Sequence, residues 1–157
     1  MQHLEEFTRQ AVREVFQSMV SMDVIAEPPS PITDAEGQIV GSVGFVGDIN
    51  GVIYLYAGNS FARLATGKML GISEAEVDNQ EMVNDALGEL TNMVAGCVKT
   101  RLVRDGRPCA LTIPTIVRGQ GLSVESPADV ARKIIGFREG DHHFLAELLL
   151  KDPSKAK

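Results

Sequence analysis

Several familiar signatures are missing from this chain, and each absence narrows its function. Two cysteines, Cys97 and Cys109, occur in 157 residues. One falls in a helical pattern and the other at the start of a strand, so both read as reduced, buried thiols rather than a disulfide framework. No apolar run approaches the roughly 20 residues a membrane helix needs. The opening MQHLEEFTRQ is acidic and amphipathic, unlike a signal peptide. A cytoplasmic location with no membrane partner is the expectation. There is no Gly-x-Ser-x-Gly elbow, no Walker loop and no dinucleotide fingerprint. No repeat at a fixed short period is present. Of the three histidines, His3 lies near the terminus. His142 and His143 are adjacent in a hairpin turn and point different ways, so no metal site is expected. Excess basic charge is also lacking. The net charge is −6, which disfavours nucleic acid. The cluster Lys99, Arg101, Arg104 and Arg107 complements the dipole at the end of a long helix.

What remains has the balance of a soluble globular protein, with 44% apolar and 23% charged residues. The length fits one domain over 1–152 with a frayed tail over 153–157. Leu4, Phe7, Ala11, Val15 and Met19, widened by Val12 and Phe16, predict a first helix over 3–20. EPPSPITDAEG predicts a loop or irregular edge strand. Residues 39–57 predict a hairpin with a tight turn at Asn50-Gly51. Asn59-Ser60 predict the cap of a helix that Gly71 closes. A long helix is expected from Gln80 to Val103, ended by Gly106 and Pro108. Beyond it, CALTIPTIVRG reads as a strand interrupted by Pro114, GLSVES as a short strand, and ARKIIGFREG with HHFLAELLLK as a hairpin turning at Gly140-Asp141. The expected class is α+β, a layer of helices on a largely antiparallel sheet.

The chemistry gathers on the long helix. At about 100° per residue, Val83, Leu87, Leu90, Val94 and Val98 share a core side, with Ala86 and Cys97 beside them. Asp85, Glu89, Asn92 and Gly96 fall opposite, within about 60° of one another. Gly88 and Ala95 flank them. Each glycine costs a helix roughly 1 kcal/mol relative to alanine. Small residues beside Glu89 and Asn92 let another backbone approach closely. A solvated polar face, with glycines packing against the first helix, is the plainer reading of the same pattern.

Asp85-x-x-x-Glu89-x-x-Asn92, followed beyond the helix by Pro114, resembles the signature of the CheC/CheX/FliY phosphatases. FTRQAVREVFQSMVSMDV looks like the opening helix of CheX proteins, VGFVGDINGVIYLY their hairpin and FARLATGKMLG their next helix. The likeness covers most of residues 7–119. The interval from Asn92 to Pro114 is slightly tighter than the family's. The first helix offers Glu14-Val15-Phe16-Gln17 where two-site members carry a second Glu-x-x-Asn, which favours a single-site, CheX-like chain with a structural first helix.

The resemblance implies a CheC-like fold and hydrolysis of the aspartyl phosphate on a CheY-like response regulator. It assigns catalytic roles to Asn92, orienting water, and Glu89, pairing with the partner's Lys. Asp85, Gly88, Gly96 and Pro114 would meet the partner. No cofactor is expected on this chain, and Mg²⁺ is expected on the regulator. A homodimer is implied, and uncovered sheet edges would favour one. Two alternatives stay open: a module of this fold that docks a signalling protein without hydrolysis, and a sensory domain whose exposed helix binds its own copy.

Overall fold

The computed structural model describes residues 2–151; the expected tail at 153–157 lies outside them. The sheet is built from two hairpins. β2 (Gln38–Gly47) pairs with β3 (Asn50–Gly58), and β6 (Ala131–Glu139) pairs with β7 (His142–Lys151). β1 (Ile25–Glu27) flanks β6 at one edge, while β4 (Cys109–Leu111) and β5 (Thr115–Gly119) both pair with β2 at the other. The order is β1-β6-β7-β3-β2-β4, with β5 also beside β2, and every pairing is antiparallel.

The second hairpin turns at Gly140-Asp141 as expected, with Gly140 at φ 58°. The first turns earlier than expected. Phe45 faces Gly51, so the turn lies over Asp48-Ile49 and Asn50-Gly51 begin β3. Asn50 still serves the turn, its Oδ1 accepting the Gly47 N–H at 3.1 Å. Gly51 has a different purpose. A Cβ there would lie 2.2 Å from the Leu149 carbonyl oxygen, so its smallness admits β7. GLSVES forms no strand. The Leu122 N–H donates instead to Gln38 Oε1 at 2.8 Å, a side-chain partner in place of a ladder.

Three α-helices among the described residues, α1 (Gln2–Val20), α2 (Asn59–Leu70) and α3 (Gln80–Arg104), pack on one another and on one sheet face. α1 buries Leu4, Ala11, Val12, Val15 and Phe16 as its spacing predicts, while Phe7 and Met19 are partly covered. The chain has six phenylalanines, and four of them form the joint between layers. Phe144 of β7 stacks at 4.8 Å on Phe16, 5.0 Å on Phe61 and 5.1 Å on Phe137.

The helix ends differ in how they are capped. Asn79 caps α3, its Oδ1 accepting the Met82 N–H at 2.9 Å. Gly71, at φ 71°, ends α2 in the left-handed conformation. At the start of α2, the expected Asn59-Ser60 cap is replaced by a distant one. The Ser60 N–H donates to Asp34 Oδ2 at 2.9 Å. Burial pushes the Asp34 carboxyl up, but hydrogen bonds from Ser60 and Glu36 and the nearby Arg63 outweigh it and hold it low. None of the helices among the described residues is long and apolar enough to cross a membrane.

Candidate active site

α3 descends closely onto β2 because glycine stands where they cross. A Cβ on Gly41 would lie 2.4 Å from Thr91 Oγ1. Thr91 is fully buried and satisfies its hydroxyl by donating to the Leu87 carbonyl at 2.7 Å. Gly41 shares the core phase of β2 with Ile39, Val43 and Phe45. A glycine in that phase was the sequence signal for close helix approach.

The β4–β5 interruption sits beside this crossing. Leu111 pairs with Phe45 and Thr115 with Ser42, so four chain steps oppose three. The extra residue is a β-bulge, and it lets Leu111 and Ile116 both face the helices despite their odd spacing. Thr112 pins it at one end. Its N–H donates to the Gly44 carbonyl at 2.9 Å, and its Oγ1 accepts the Gly44 N–H at 2.8 Å. Pro114 occupies the other end, where it leaves no N–H to satisfy.

Pro114 packs beside Gly88. The helix glycine is buried, and a Cβ on it would lie 3.5 Å from Pro114 Cβ. The side of Gly88 thus faces this chain's own strand break. Gly96 differs, since a Cβ on it would meet nothing within 4 Å. On the same helix, Asp85 and Glu89 are exposed and Asn92 is half-buried. None of these three side chains has a hydrogen bond or ion pair to another described residue. The face therefore carries two free carboxylates and a free carboxamide, with Pro114 at its border.

Arg118 braces the start of α3, a role the sequence did not single out. It reaches from β5 to three groups: Nε donates to Asn84 Oδ1 at 2.8 Å, one terminal nitrogen to Asn59 Oδ1 at 2.7 Å, and the other to the Gln80 carbonyl at 3.3 Å. It thereby ties the first turns of α3 and α2 to the strand next to Pro114. Burial pulls its pKa below the usual guanidinium value. An arginine inside a strand pattern, facing the helix layer, was the available clue.

Other candidates divide clearly. Cys97 and Cys109 are free and half-buried. Burial pushes both thiols up, with Glu14 adding to the effect at Cys97, so neither is an activated nucleophile. Glu14 and Gln17 on α1 are exposed beside buried Val15 and Phe16. His142 packs on Phe61 at 5.4 Å, whereas His143 Nδ1 lies 2.5 Å from Glu27 Oε1 on the opposite sheet face. No group of three His, Cys, Asp or Glu among the described residues could hold a metal. On the helix-free face, Tyr56 donates to Glu147 Oε1 at 2.9 Å and Arg132 donates to Glu147 Oε2, flooring a shallow cleft of about 220 Å³.

A family model described as chemotaxis phosphatase CheX matches residues 39–138, from β2 into β6. The chain is 28% identical over 119 residues to the CheY-P phosphatase CheX of Thermotoga maritima, covering 74% of this chain and 76% of the relative. Its fold is similar to that of chemotaxis protein CheX from Vibrio vulnificus, with a TM-score of 0.81, 23% identity and coverage of 94% and 96% of the two chains. It is also similar in fold to a chain from the CheX-CheY-BeF3-Mg²⁺ complex of Borrelia burgdorferi, with a TM-score of 0.77, 20% identity and coverage of 94% and 97%. The matched span takes in all of α3 and the strand break beside it, and by this match the chain belongs to the CheX family of chemotaxis phosphatases.

Proposed function

We propose that this protein hydrolyses the aspartyl phosphate of a CheY-like response regulator, with Glu89 and Asn92 as its working residues. The observation that carries this reading is the unspent polar face of α3. Asp85, Glu89 and Asn92 have no partners among the described residues, in a helix whose opposite side is buried. Two relatives add support. The Thermotoga maritima protein is named a CheY-P phosphatase, and the Borrelia burgdorferi structure contains CheX with CheY, BeF3 and Mg²⁺.

An acyl phosphate needs an in-line water and neutralised phosphoryl oxygens. Mg²⁺ on the regulator would supply the charge neutralisation. Asn92 would hold the water, since a carboxamide donates and accepts at once without changing charge. The water attacks phosphorus, the bond to the aspartyl oxygen breaks, and inorganic phosphate leaves. Glu89 lies one helical turn away, about 5–6 Å between Cβ atoms, and would pair with a regulator lysine to fix the register. Asp85 extends the negative edge. Gly96 leaves open space for the partner, and Pro114, seated against Gly88, forms the border.

The test is decay of a phosphorylated regulator with the protein, without it, and with Asn92→Ala. Acceleration lost in the variant while binding persists supports catalysis; a variant as fast as wild type sinks the role of Asn92. The binding-module reading would show docking without acceleration by either protein.

The functional unit in this reading is a cytoplasmic homodimer. β1 pairs with β6 only over Gly136 to Arg138, so the outer edge of β6 over 131–135 has no strand beside it among the described residues. Light scattering that gives a clean 16.9 kDa species at micromolar concentration would refute the dimer.

A further inference from the structure

Ile113 is the most exposed large apolar residue among the described ones, at 83%. A lone exposed apolar side chain is ordinary. The placement of this one is not. It lies inside the β-bulge, between Thr112, whose backbone and hydroxyl are both tied to Gly44, and Pro114, which rests on Gly88. The bulge thus leaves Ile113 exposed immediately before the proline that packs on α3. The bulge itself only needs an extra residue, and a polar one would serve it at less cost in exposed apolar surface.

The α3 face is rich in direction and poor in apolar area. Asp85, Glu89 and Asn92 can orient a partner, but hydrated polar groups exchange one set of hydrogen bonds for another and add little net affinity. An apolar residue held rigidly at the rim adds area and excludes water, with no side-chain reorganisation of the strand to oppose it. We propose that Ile113 is a docking and specificity residue for the phosphorylated regulator, seating an apolar spot on the receiver domain next to its phosphorylation site. This rests on the function proposed above. Ile113 acts through binding and touches none of the reacting atoms.

The experiment compares wild type with Ile113→Ser, Ile113→Asp and Ile113→Val, using steady-state dephosphorylation and titration with the same organism's CheY-like receiver loaded with Mg²⁺ and beryllofluoride. Ile113→Ser should raise KM and Kd about tenfold and leave kcat within about twofold. Ile113→Asp should be worse, since it adds a negative charge beside Asp85 and Glu89. Ile113→Val should restore most of the affinity. Thermal melts within a degree or two of wild type are expected, because the side chain is already in water. Variants with wild-type KM and Kd overturn the inference while leaving the phosphatase intact. A change in oligomeric mass with KM unchanged assigns Ile113 to self-association and overturns it too. Wild type that neither binds nor dephosphorylates the regulator overturns the underlying function instead.

Discussion

Glu147 and Glu89 are the same residue in opposite circumstances. Glu147, on β7, is 1% exposed, and both of its oxygens are committed, one to the Tyr56 hydroxyl and one to Arg132. Burial and Glu147 together push the Tyr56 phenol far above its usual range, so it stays protonated and keeps donating. Glu89, on α3, is exposed and has no partner among the described residues. The first cluster is closed: each group answers another, and removing one leaves a buried polar atom without a partner. The second is open, and its groups can meet only solvent or another molecule. Stability and activity are thus expected to separate cleanly between the two regions.

The sharpest test of that separation is Asn92→Ala. Loss of a water-positioning group should lower the dephosphorylation rate about a hundredfold, with the melting temperature unchanged. A comparable loss of stability would show that Asn92 belongs to the core after all. Next in size is Glu147→Ala. It strands the Tyr56 hydroxyl and should cost about 2 kcal/mol in urea unfolding, with the activity per folded molecule unchanged. Lost activity in a still-folded Glu147→Ala protein would join the two regions and break the contrast.

Asp34→Ala tests the remote cap of α2 and should cost about 1 kcal/mol. The pH dependence follows from the direction of its shift. The folded pKa lies below the unfolded value of about 3.9. The contribution is therefore present at neutral pH and lost as pH falls through the folded pKa. Wild type and variant stabilities should converge below about pH 4; a constant difference there would assign the effect to packing. The smallest effects belong to the helix glycines. Gly88→Ala and Gly96→Ala should each raise stability by just under about 1 kcal/mol. The Cβ at 88 would make only ordinary contact with Pro114, and the Cβ at 96 would make none. Gly96→Ala should also weaken regulator binding in the same titration, because its Cβ stands on the open face. Equal affinity for both variants would remove Gly96 from the docking surface.

Residues whose role depends on near neighbours are legible in the sequence. α3 was expected over Gln80–Val103 and runs over Gln80–Arg104, because the apolar spacing and the Asn79 cap are local. The β6–β7 hairpin turns at Gly140-Asp141 for the same reason. Residues whose role is set by distant chain are not legible in sequence. Asn50-Gly51 carries a strong local turn signal, yet Gly51 is small because a Leu149 carbonyl would strike its Cβ. Asn59-Ser60 look like a cap, but Asp34 arrives from the loop before β2 and takes the Ser60 N–H. GLSVES alternates like a strand and finds a side-chain partner instead of a neighbouring strand. Arg118 was overlooked because its partners Asn59, Gln80 and Asn84 come together only in the fold.

The sequence alone determined which side of α3 is polar. Helical geometry converts spacing into direction, so Asp85, Glu89, Asn92 and Gly96 had to share a stripe. What borders that stripe depends on the packed fold. Strand register is settled by packing across the whole sheet, and it placed the bulge of β4–β5 against Gly88. That register seats Pro114 against Gly88 and leaves Ile113 exposed next to it in the chain, while the space around Gly96 stays open.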